Sequence, residues 1–582
     1  MSHTSAPLLR LPDELLAAIA CEISEAPDVD VLGKSCKRLS KVARDPALWK
    51  RLCLQKWEYW DPSHELHSKL GCSPGQVDWY GIYHQRARTD LDSTETFTTL
   101  LRTQRRRHHL MWQIASRGDD AKDLMLRMKD ETPDEDEYVL ARRYHAEAVL
   151  GLMNRRLAVQ TWVKVQQGQS VPLEEALGAY DLFVSSPGPG YFEIMRDELD
   201  GIAQGIRDEY TDETKGDRAT FDVADFDDIS VRQKALYISQ YLTIHERVGG
   251  VGSGERYHDL PNNFIIGALQ HRRPCLPLQS AAIFCAVARR LGVDAHPCNS
   301  PGHVYVVVQA PADQTLDGEP RQESSSSHRD SMYMDPFTAG RGEVSQETLL
   351  QPLHVQVPHD QHNPALQPAT VFQMVSRTNR NIVVSLQQAG RIHGAGRRDR
   401  LIDQESGWYA VFWSAMVLSI RAEPLAGHEY IQALFTHIGG TFPVDVGLVD
   451  MVCPLFHTGL QEEVTTLFQE LKDVDNKERT PQPRDGPAEA AVQFKVGHYF
   501  RHRRYNYEGF VVGWDARCSA AEDWVHSMGV DNLPRGKDQP FYYVMYVLEK
   551  FPCFVTKKDV SPKTKANNTV NHSLKFSSLQ PP

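Results

Sequence analysis

The sequence predicts a multidomain α+β protein, with a three-helix module at the N-terminus, a mostly helical middle that encloses an α+β core, and a small antiparallel β-barrel at the C-terminus. Its 582 residues exceed what one hydrophobic core usually serves, so several folding units are expected. Apolar residues recur at helical spacing through much of the chain up to Leu471. From Phe494 onward, short aromatic and β-branched runs separated by glycine and proline turns indicate strands.

The composition is that of an ordinary globular protein, with 41% apolar and 24% charged residues and a net charge of −12. The longest apolar run, Trp408 to Ile420, contains two serines and is shorter than the roughly 20 residues of a membrane helix, so it predicts a buried helix. No signal peptide is recognisable, and we expect a cytoplasmic or nuclear protein that does not bind a membrane. The ten cysteines include no Cys-x-x-Cys pair, so no zinc site or disulfide framework is indicated and no metal or cofactor is expected.

The N-terminal module spans residues 5–55 and contains three predicted helices. The first follows Pro12 and places apolar residues on one face, the second runs from Asp30 to Val42 with Val31 directed inward, and the third carries Leu48 and Trp49. Three helices of this length bury little apolar surface alone. The pattern therefore favours a module whose exposed apolar face is completed by a partner.

The module resembles an F-box. The resemblance rests on three motifs in this order: Leu-Pro-x-Glu-Leu-Leu, Val-Leu-x-x-x-Cys-Lys-x-Leu and Leu-Trp. The resemblance implies that the module docks on the Skp-type adaptor of a cullin ubiquitin ligase. A generic helical cap is the structural alternative. The residues that the resemblance places at the adaptor are Leu11, Pro12, Leu15, Leu16 and Ile19.

The rest of the chain divides by composition and periodicity. The basic run Arg105–His109 is interpreted as a solvated face of a helix from Thr94 to His109, and the glycines between Gly249 and Gly254 as a flexible link. The predicted segments are a helical region at 85–225, an α+β core at 226–345, a second helical region at 368–471, a polar proline-rich linker at 472–490, a β-barrel at 491–561 and a disordered tail at 562–582.

The core contains a buried helix, a strand opened by a histidine and a strand bearing an aspartate. The helix ends at Gly292, the histidine strand runs from Ser300 to Val308, and the second strand runs from Met332 to Phe337. This layout, with Ala-Arg-Arg-Leu-Gly, Pro-Gly-His and Asp-Pro-Phe, resembles the SirB-type transglutaminase-like family from about Leu177 to Phe468. The resemblance places His303 and Asp335 at the positions of a base and its orienting acid.

The nucleophile of such an enzyme is a thiolate at the start of the helix, where the helix dipole lowers its pKa. In this sequence that position falls near Pro277, whereas Cys275 lies two residues upstream and Cys285 lies well inside the helix. Three interpretations remain: a working Cys275/His303/Asp335 triad, a retained His303–Asp335 pair that shapes a binding groove, or a structural core histidine. We expect a vestigial site in a protein that is not an enzyme.

The C-terminal segment resembles the HspQ/YccV family of hemimethylated-DNA-binding domains. The matching motifs are Arg-His-Arg-Arg-Tyr, Gly-Trp-Asp, Met-Gly-Val-Asp, Leu-Pro-Arg-Gly and Gln-Pro-Phe-Tyr. Between Phe494 and Val560 there are 10 Lys and Arg against 8 Asp and Glu, a net charge of +2, which favours a peptide surface over a phosphate surface. The predicted ligand-binding residues are Arg501, His502, Arg503, Arg504, Tyr505 and Trp514.

Together these patterns favour a substrate-recognition subunit of a Skp-cullin-F-box ubiquitin ligase. Its partners would be a Skp-type adaptor with its cullin and a protein substrate whose identity the sequence does not give. The alternatives are a DNA-binding protein acting through the C-terminal domain and an active transglutaminase-like cysteine hydrolase.

Overall fold

The computed structural model describes most of the chain and divides it into two compact units, Met1–Leu434 with Val444–Glu470, and Phe435–Pro443 with Leu471–Pro582. The described residues are 7–134, 136, 138–184, 190–216, 225–251, 254, 256–272, 274–321, 329–338, 342–350, 364–391, 403–420, 428–478, 486–487, 489–502, 508–520, 522–546, 553–556 and 560–562.

The N-terminal module has four helices where the sequence predicted three. The expected helix from Asp30 to Val42 is broken at Cys36, whose backbone is extended with φ −162° and ψ 164°. Asp45 caps the last helix by accepting a hydrogen bond from the Ala47 amide, and Pro46 fits its first turn. The helices are α1 (Asp13–Cys21), α2 (Ala26–Ser35), α3 (Lys37–Val42) and α4 (Pro46–Lys56).

A long helical region follows the module. The expected helix from Thr94 to His109 is instead two helices, because the chain turns after Arg102 and Arg106 adopts a left-handed conformation with φ 57°. The basic run therefore lies across this turn. The helices are α5 (Leu66–Leu70), α6 (Trp79–Arg102), α7 (Arg107–Ala115), α8 (Lys122–Asp130), α9 (Val139–Gln166), α10 (Leu173–Val184), α11 (Tyr191–Gly216) and α12 (Val231–Ile244).

The core places a helix that is buried from Pro277 to Ala288 beside a four-stranded antiparallel sheet in the order β1-β2-β3-β4. His303 lies in a bend ahead of β2 and Asp335 directly follows β3, so both expected strands are shorter than predicted. The elements are α13 (Ile265–His271), α14 (Pro277–Arg290), β1 (Asp294–Pro297), β2 (Val306–Gln309), β3 (Ser331–Met334), β4 (Glu343–Val344) and α15 (Gln346–Leu350).

The second helical region begins with α16, which packs on α17, and α17 in turn packs on α9. The last of these helices extends to Asn476, so it takes the first residues of the predicted linker. None of the helices described here has both the length and the apolar composition needed to cross a membrane. The helices are α16 (Val371–Arg391), α17 (Gln404–Ser419), α18 (His428–Gly440), α19 (Val446–Val452) and α20 (Thr458–Asn476).

The C-terminal segment forms a five-stranded antiparallel sheet in the order β8-β7-β6-β5-β9, with Phe500, Val511, Tyr542 and Val544 in its core. Among the described residues no pairing joins the two outer strands, so the predicted barrel closure is not confirmed. The predicted disordered tail lies, apart from Pro562 in β9, outside the described residues. The elements are β5 (Tyr499–His502), β6 (Glu508–Asp515), α21 (Glu522–Ser527), β7 (Phe541–Tyr546), β8 (Cys553–Thr556) and β9 (Val560–Pro562).

Candidate functional site

Helix α1 has two apolar faces with opposite environments. Leu16 is 2% exposed and packs in the module's core together with Ala20. Leu15 and Ile19, four positions apart and therefore neighbours on the helix surface, are 50% and 44% exposed. The exposed pair gives the module an apolar stripe on its outer surface.

The start of α1 is held in place by Arg38 of α3. Its Nε donates to Asp13 Oδ1 at 2.6 Å, and a terminal nitrogen donates to the Leu11 carbonyl at 2.5 Å. Pro12 is exposed and Leu11 is part-buried against the module core. Of the five predicted adaptor residues, the structure exposes Pro12, Leu15 and Ile19, partly covers Leu11 and buries Leu16.

Sequence reasoning missed Val31 in α2. It was expected to point inward, but it is 62% exposed, more than any of the predicted adaptor leucines. The break at Cys36 explains the difference, because the segment predicted as one helix is two helices, each with its own buried face. Val31 therefore joins the exposed apolar residues of the module.

The module is tied to the following helices through Arg86 of α6, whose side chain is fully buried. The guanidinium lies 5.1 Å from the ring centroids of both Trp57 and Trp60, and it contacts Asp120 Oδ1 at 2.6 Å. His64 Nε2 lies 2.7 Å from the other oxygen of Asp120. Burial alone would raise the pKa of Asp120, but the contacts with His64 and Arg86 hold it below its ordinary value.

In the α+β core, Cys275 lies just ahead of α14 and is fully buried. Its Sγ atom lies 3.3 Å from the Ser280 hydroxyl. Burial raises the pKa of the Cys275 thiol above its ordinary value, and the hydrogen bonds with Ser280 and Gly249 offset only part of that effect. A buried thiol with a raised pKa is a poor nucleophile.

His303 and Asp335 do form the predicted pair, with His303 Nε2 lying 3.0 Å from Asp335 Oδ1. The same carboxylate oxygen accepts hydrogen bonds from the backbone amides of Phe337 and Thr338, each at 3.2 Å. Burial would raise the pKa of Asp335, but these bonds hold it below its ordinary value. The His303 side chain is 24% exposed, so solvent reaches the histidine although the aspartate is buried.

The expected flexible link at Gly249 is instead a packed part of this site. Its carbonyl accepts a hydrogen bond from the Cys275 amide, and its own amide donates to the Ser280 hydroxyl at 3.0 Å. Gly249 has φ +70°, and a Cβ atom there would lie 2.4 Å from the Phe337 carbonyl oxygen. Only glycine fits this close approach, which brings the cysteine segment near the loop that carries Asp335.

The predicted residues of the C-terminal domain are described only in part. Arg501 is exposed on β5, opposite Glu508 of β6, and the backbone of His502 pairs with Val560. Trp514 is partly buried and packs against the core of the sheet. Arg503, Arg504 and Tyr505 lie outside the described residues. Within the described part of the chain, no group of three metal-ligating side chains occurs.

Three family profiles match the chain. A profile described as F-box-like matches residues 8–55, one described as Transglutaminase-like superfamily matches residues 193–380, and one described as Hemimethylated DNA-binding protein YccV like matches residues 492–578. The chain carries all three domain types. The resemblances predicted from its motifs are thereby confirmed.

Curated proteins match the chain at low identity. F-box only protein 21 of Pongo abelii is 24% identical over 327 residues, which are 55% of this chain and 47% of the relative. The human protein of that name is 22% identical over 330 residues, 55% of this chain and 48% of the relative. A UPF0162 protein of Xylella fastidiosa (strain 9a5c) is 28% identical over 174 residues, 29% of this chain and 55% of the relative.

The chain spans about half the length of the curated F-box relatives it matches. No solved structure matches the chain significantly.

Proposed function

We propose that this protein is the substrate-recognition subunit of a Skp-cullin-F-box ubiquitin ligase, acting in the cytoplasm or nucleus. The F-box-like helices bind a Skp-type adaptor and, through it, a cullin. The central and C-terminal domains bind the protein substrate. The Pongo abelii and human relatives named F-box only protein 21 support this assignment at the level of domain type.

The observation that carries the proposal is the exposed apolar surface of the F-box-like module. Leu8, Leu15, Ile19 and Val31 are 38%, 50%, 44% and 62% exposed, all within the 48-residue segment that matches the F-box-like profile. Exposure of several large apolar side chains in so small a module is typical of a protein interface. Arg38 fixes the start of α1, so this surface is already ordered before a partner binds.

The state of the central core supports a binding role over catalysis. The Cys275 thiol is buried beside Ser280, and the position expected for the nucleophile is occupied by Pro277, the first residue of α14. His303 and Asp335 retain their hydrogen bond without a thiolate partner among the contacts described here. A fold of this kind can present a peptide-binding surface without carrying out acyl transfer.

The test is a pull-down of a purified Skp-type adaptor by the intact chain and by a Leu15→Asp/Ile19→Asp double variant. We expect the intact chain to retain the adaptor and the double variant to lose it. Leu140→Asp is the matched control, because Leu140 is 70% exposed on α9, outside the F-box-like module. Failure of the intact chain to bind the adaptor, or equal binding by the double variant, would refute the proposal.

A further inference from the structure

Arg377 of α16 carries a part-buried guanidinium that pairs with no carboxylate in the part of the chain that the structure describes. One terminal nitrogen donates to the Ser300 carbonyl at 2.5 Å. Burial and the neighbouring Arg380 lower the pKa of Arg377 from its ordinary value, and only Tyr257 acts in the opposite direction. A partly desolvated cation with no anionic partner is costly, and this cost favours the binding of an anion.

Aromatic side chains connect Arg377 to the histidine of the core. The ring centroids of Tyr257 and Phe337 lie 6.4 Å apart, and the ring centroids of Phe337 and His303 lie 5.6 Å apart. All of these side chains are part-buried, so each keeps some contact with solvent. We call Arg377, Tyr257, Phe337 and His303 the Arg377 surface.

The Arg377 end of this surface carries hydrogen-bond donors without an acceptor among the described residues. The Ser300 carbonyl is already used by Arg377, and the Ser300 hydroxyl is buried without a partner among the described residues. The Tyr257 hydroxyl also has no described hydrogen bond, and the positive charge of Arg377 acts on it. An oxyanion supplies the acceptors that this group of donors lacks.

We propose that Arg377 and Tyr257 bind the carboxylate of a substrate peptide, and that Phe337 and His303 line the adjoining part of its binding surface. Because one terminal nitrogen is held by Ser300, the Nε atom and the other terminal nitrogen remain to form the two parallel bonds that a planar carboxylate accepts. One part-buried guanidinium matches one negative charge. This inference rests on the proposed function, since it names the chemical class that the substrate receptor recognises.

The experiment measures binding of the full-length protein to three random-sequence peptide pools immobilised through their N-termini. The first pool has free C-terminal carboxylates and lacks Asp and Glu. The second is the same pool with amidated C-termini, and the third is amidated but carries one Glu in each peptide. We expect the first pool to bind at least about tenfold more tightly than the second, since a hydrogen bond to a charged group contributes about that factor. Binding of the third pool in addition would assign the site to side-chain carboxylates as well.

Variants then locate the binding. Arg377→Gln should reduce binding of the first pool by about tenfold or more, and Tyr257→Phe, which removes only a hydroxyl, by about threefold or more. Arg380→Gln is the control: it removes the same charge three positions along α16 from an exposed side chain, and we expect a change of less than about twofold. Urea unfolding of each variant shows whether a loss of binding reflects loss of the fold.

Equal binding of the first two pools, no binding of any pool, or equal effects of Arg377→Gln and Arg380→Gln would overturn this inference. Adaptor binding is measured on the same preparations. If Arg377→Gln retains the adaptor but the pools do not discriminate, the carboxylate site is wrong and the receptor function stands. If the intact chain fails to bind the adaptor, the proposed function itself fails, whatever the pools show.

Discussion

Leu15 and Leu16 are adjacent in the chain, yet Leu15 is 50% exposed and Leu16 is 2% exposed. Successive residues of a helix point about 100° apart, so one leucine of the pair can serve the core while the other faces outward. The sequence places both on the apolar side of α1. Only the packing of α1 against the neighbouring helices separates their roles.

This difference predicts that one alanine substitution affects stability and the other affects adaptor binding. Leu16→Ala should lower the free energy of unfolding by about 2–5 kcal/mol, because it opens a cavity in the module core. Leu15→Ala should change it by less than about 0.5 kcal/mol while weakening adaptor binding. Urea titrations of both variants, with adaptor pull-downs alongside, check the prediction. Equal destabilisation by the two substitutions would contradict the assignment of the faces.

The three domain types were predictable here because each is recognised by short local sequence motifs. Pro12 before a helix and the Pro-Gly-His sequence before a strand are visible in the sequence, and the family profiles confirm all three domain types. The break at Cys36 and the exposure of Val31 were not predictable, since both depend on how α2 and α3 pack. The pairing of His303 with Asp335 followed from the resemblance, whereas the role proposed for Arg377 required the contact with Ser300.

Cys275 should be nearly unreactive in the folded protein. Its thiol is buried and has a raised pKa, so a thiol-reactive acyl probe should modify it far more slowly than it modifies the exposed Cys72. His303→Ala should leave the labelling of Cys275 unchanged. Mass spectrometry of peptides after a short exposure to the probe gives both rates. Rapid labelling of Cys275 that is abolished in His303→Ala would instead establish a working triad.

Arg155 of α9 and Asp445 form a buried ion pair between helices distant in sequence. Arg155 Nε and a terminal nitrogen lie 2.6 and 2.8 Å from the two Asp445 oxygens, and the Tyr409 hydroxyl donates to Asp445 at 2.9 Å. Asp445→Ala should lower the free energy of unfolding by about 3–5 kcal/mol, because it leaves a buried guanidinium without its anion.

Tryptophan fluorescence in urea follows this effect, since Trp413 lies on α17 with Tyr409. Glu343→Gln is the control: its pair with Arg232 is solvent-exposed, so the change should be below about 1 kcal/mol. Similar losses for both substitutions would show that burial does not set the strength of the Arg155 pair.

Asp181 predicts a specific dependence of stability on pH. Burial raises the pKa of Asp181 to about 7 from its ordinary value of 3.8, although hydrogen bonds from Ile266 and Tyr191 oppose the shift. The folded state therefore holds this proton more tightly than the unfolded state. The resulting stabilisation is fully present below pH 3.8 and is lost as the pH rises towards about 7.

Asp181→Asn should remove this contribution, so the difference in free energy of unfolding between wild type and variant should change across that interval and be constant above it. A difference that does not vary with pH would contradict the raised pKa.

The C-terminal domain should bind duplex DNA weakly. Lys537 and Arg517 already contact Glu522 and Asp538 within the domain, so they contribute little free positive charge. We expect a low affinity for a hemimethylated duplex and a small change when Arg501, Arg503 and Arg504 are replaced together by alanine. Fluorescence anisotropy over a range of salt concentrations measures both, because each phosphate contact lowers log K by about 0.9 per decade of salt. Tight binding with a steep salt dependence that disappears in the triple variant would favour the DNA-binding function over the peptide surface proposed for this domain.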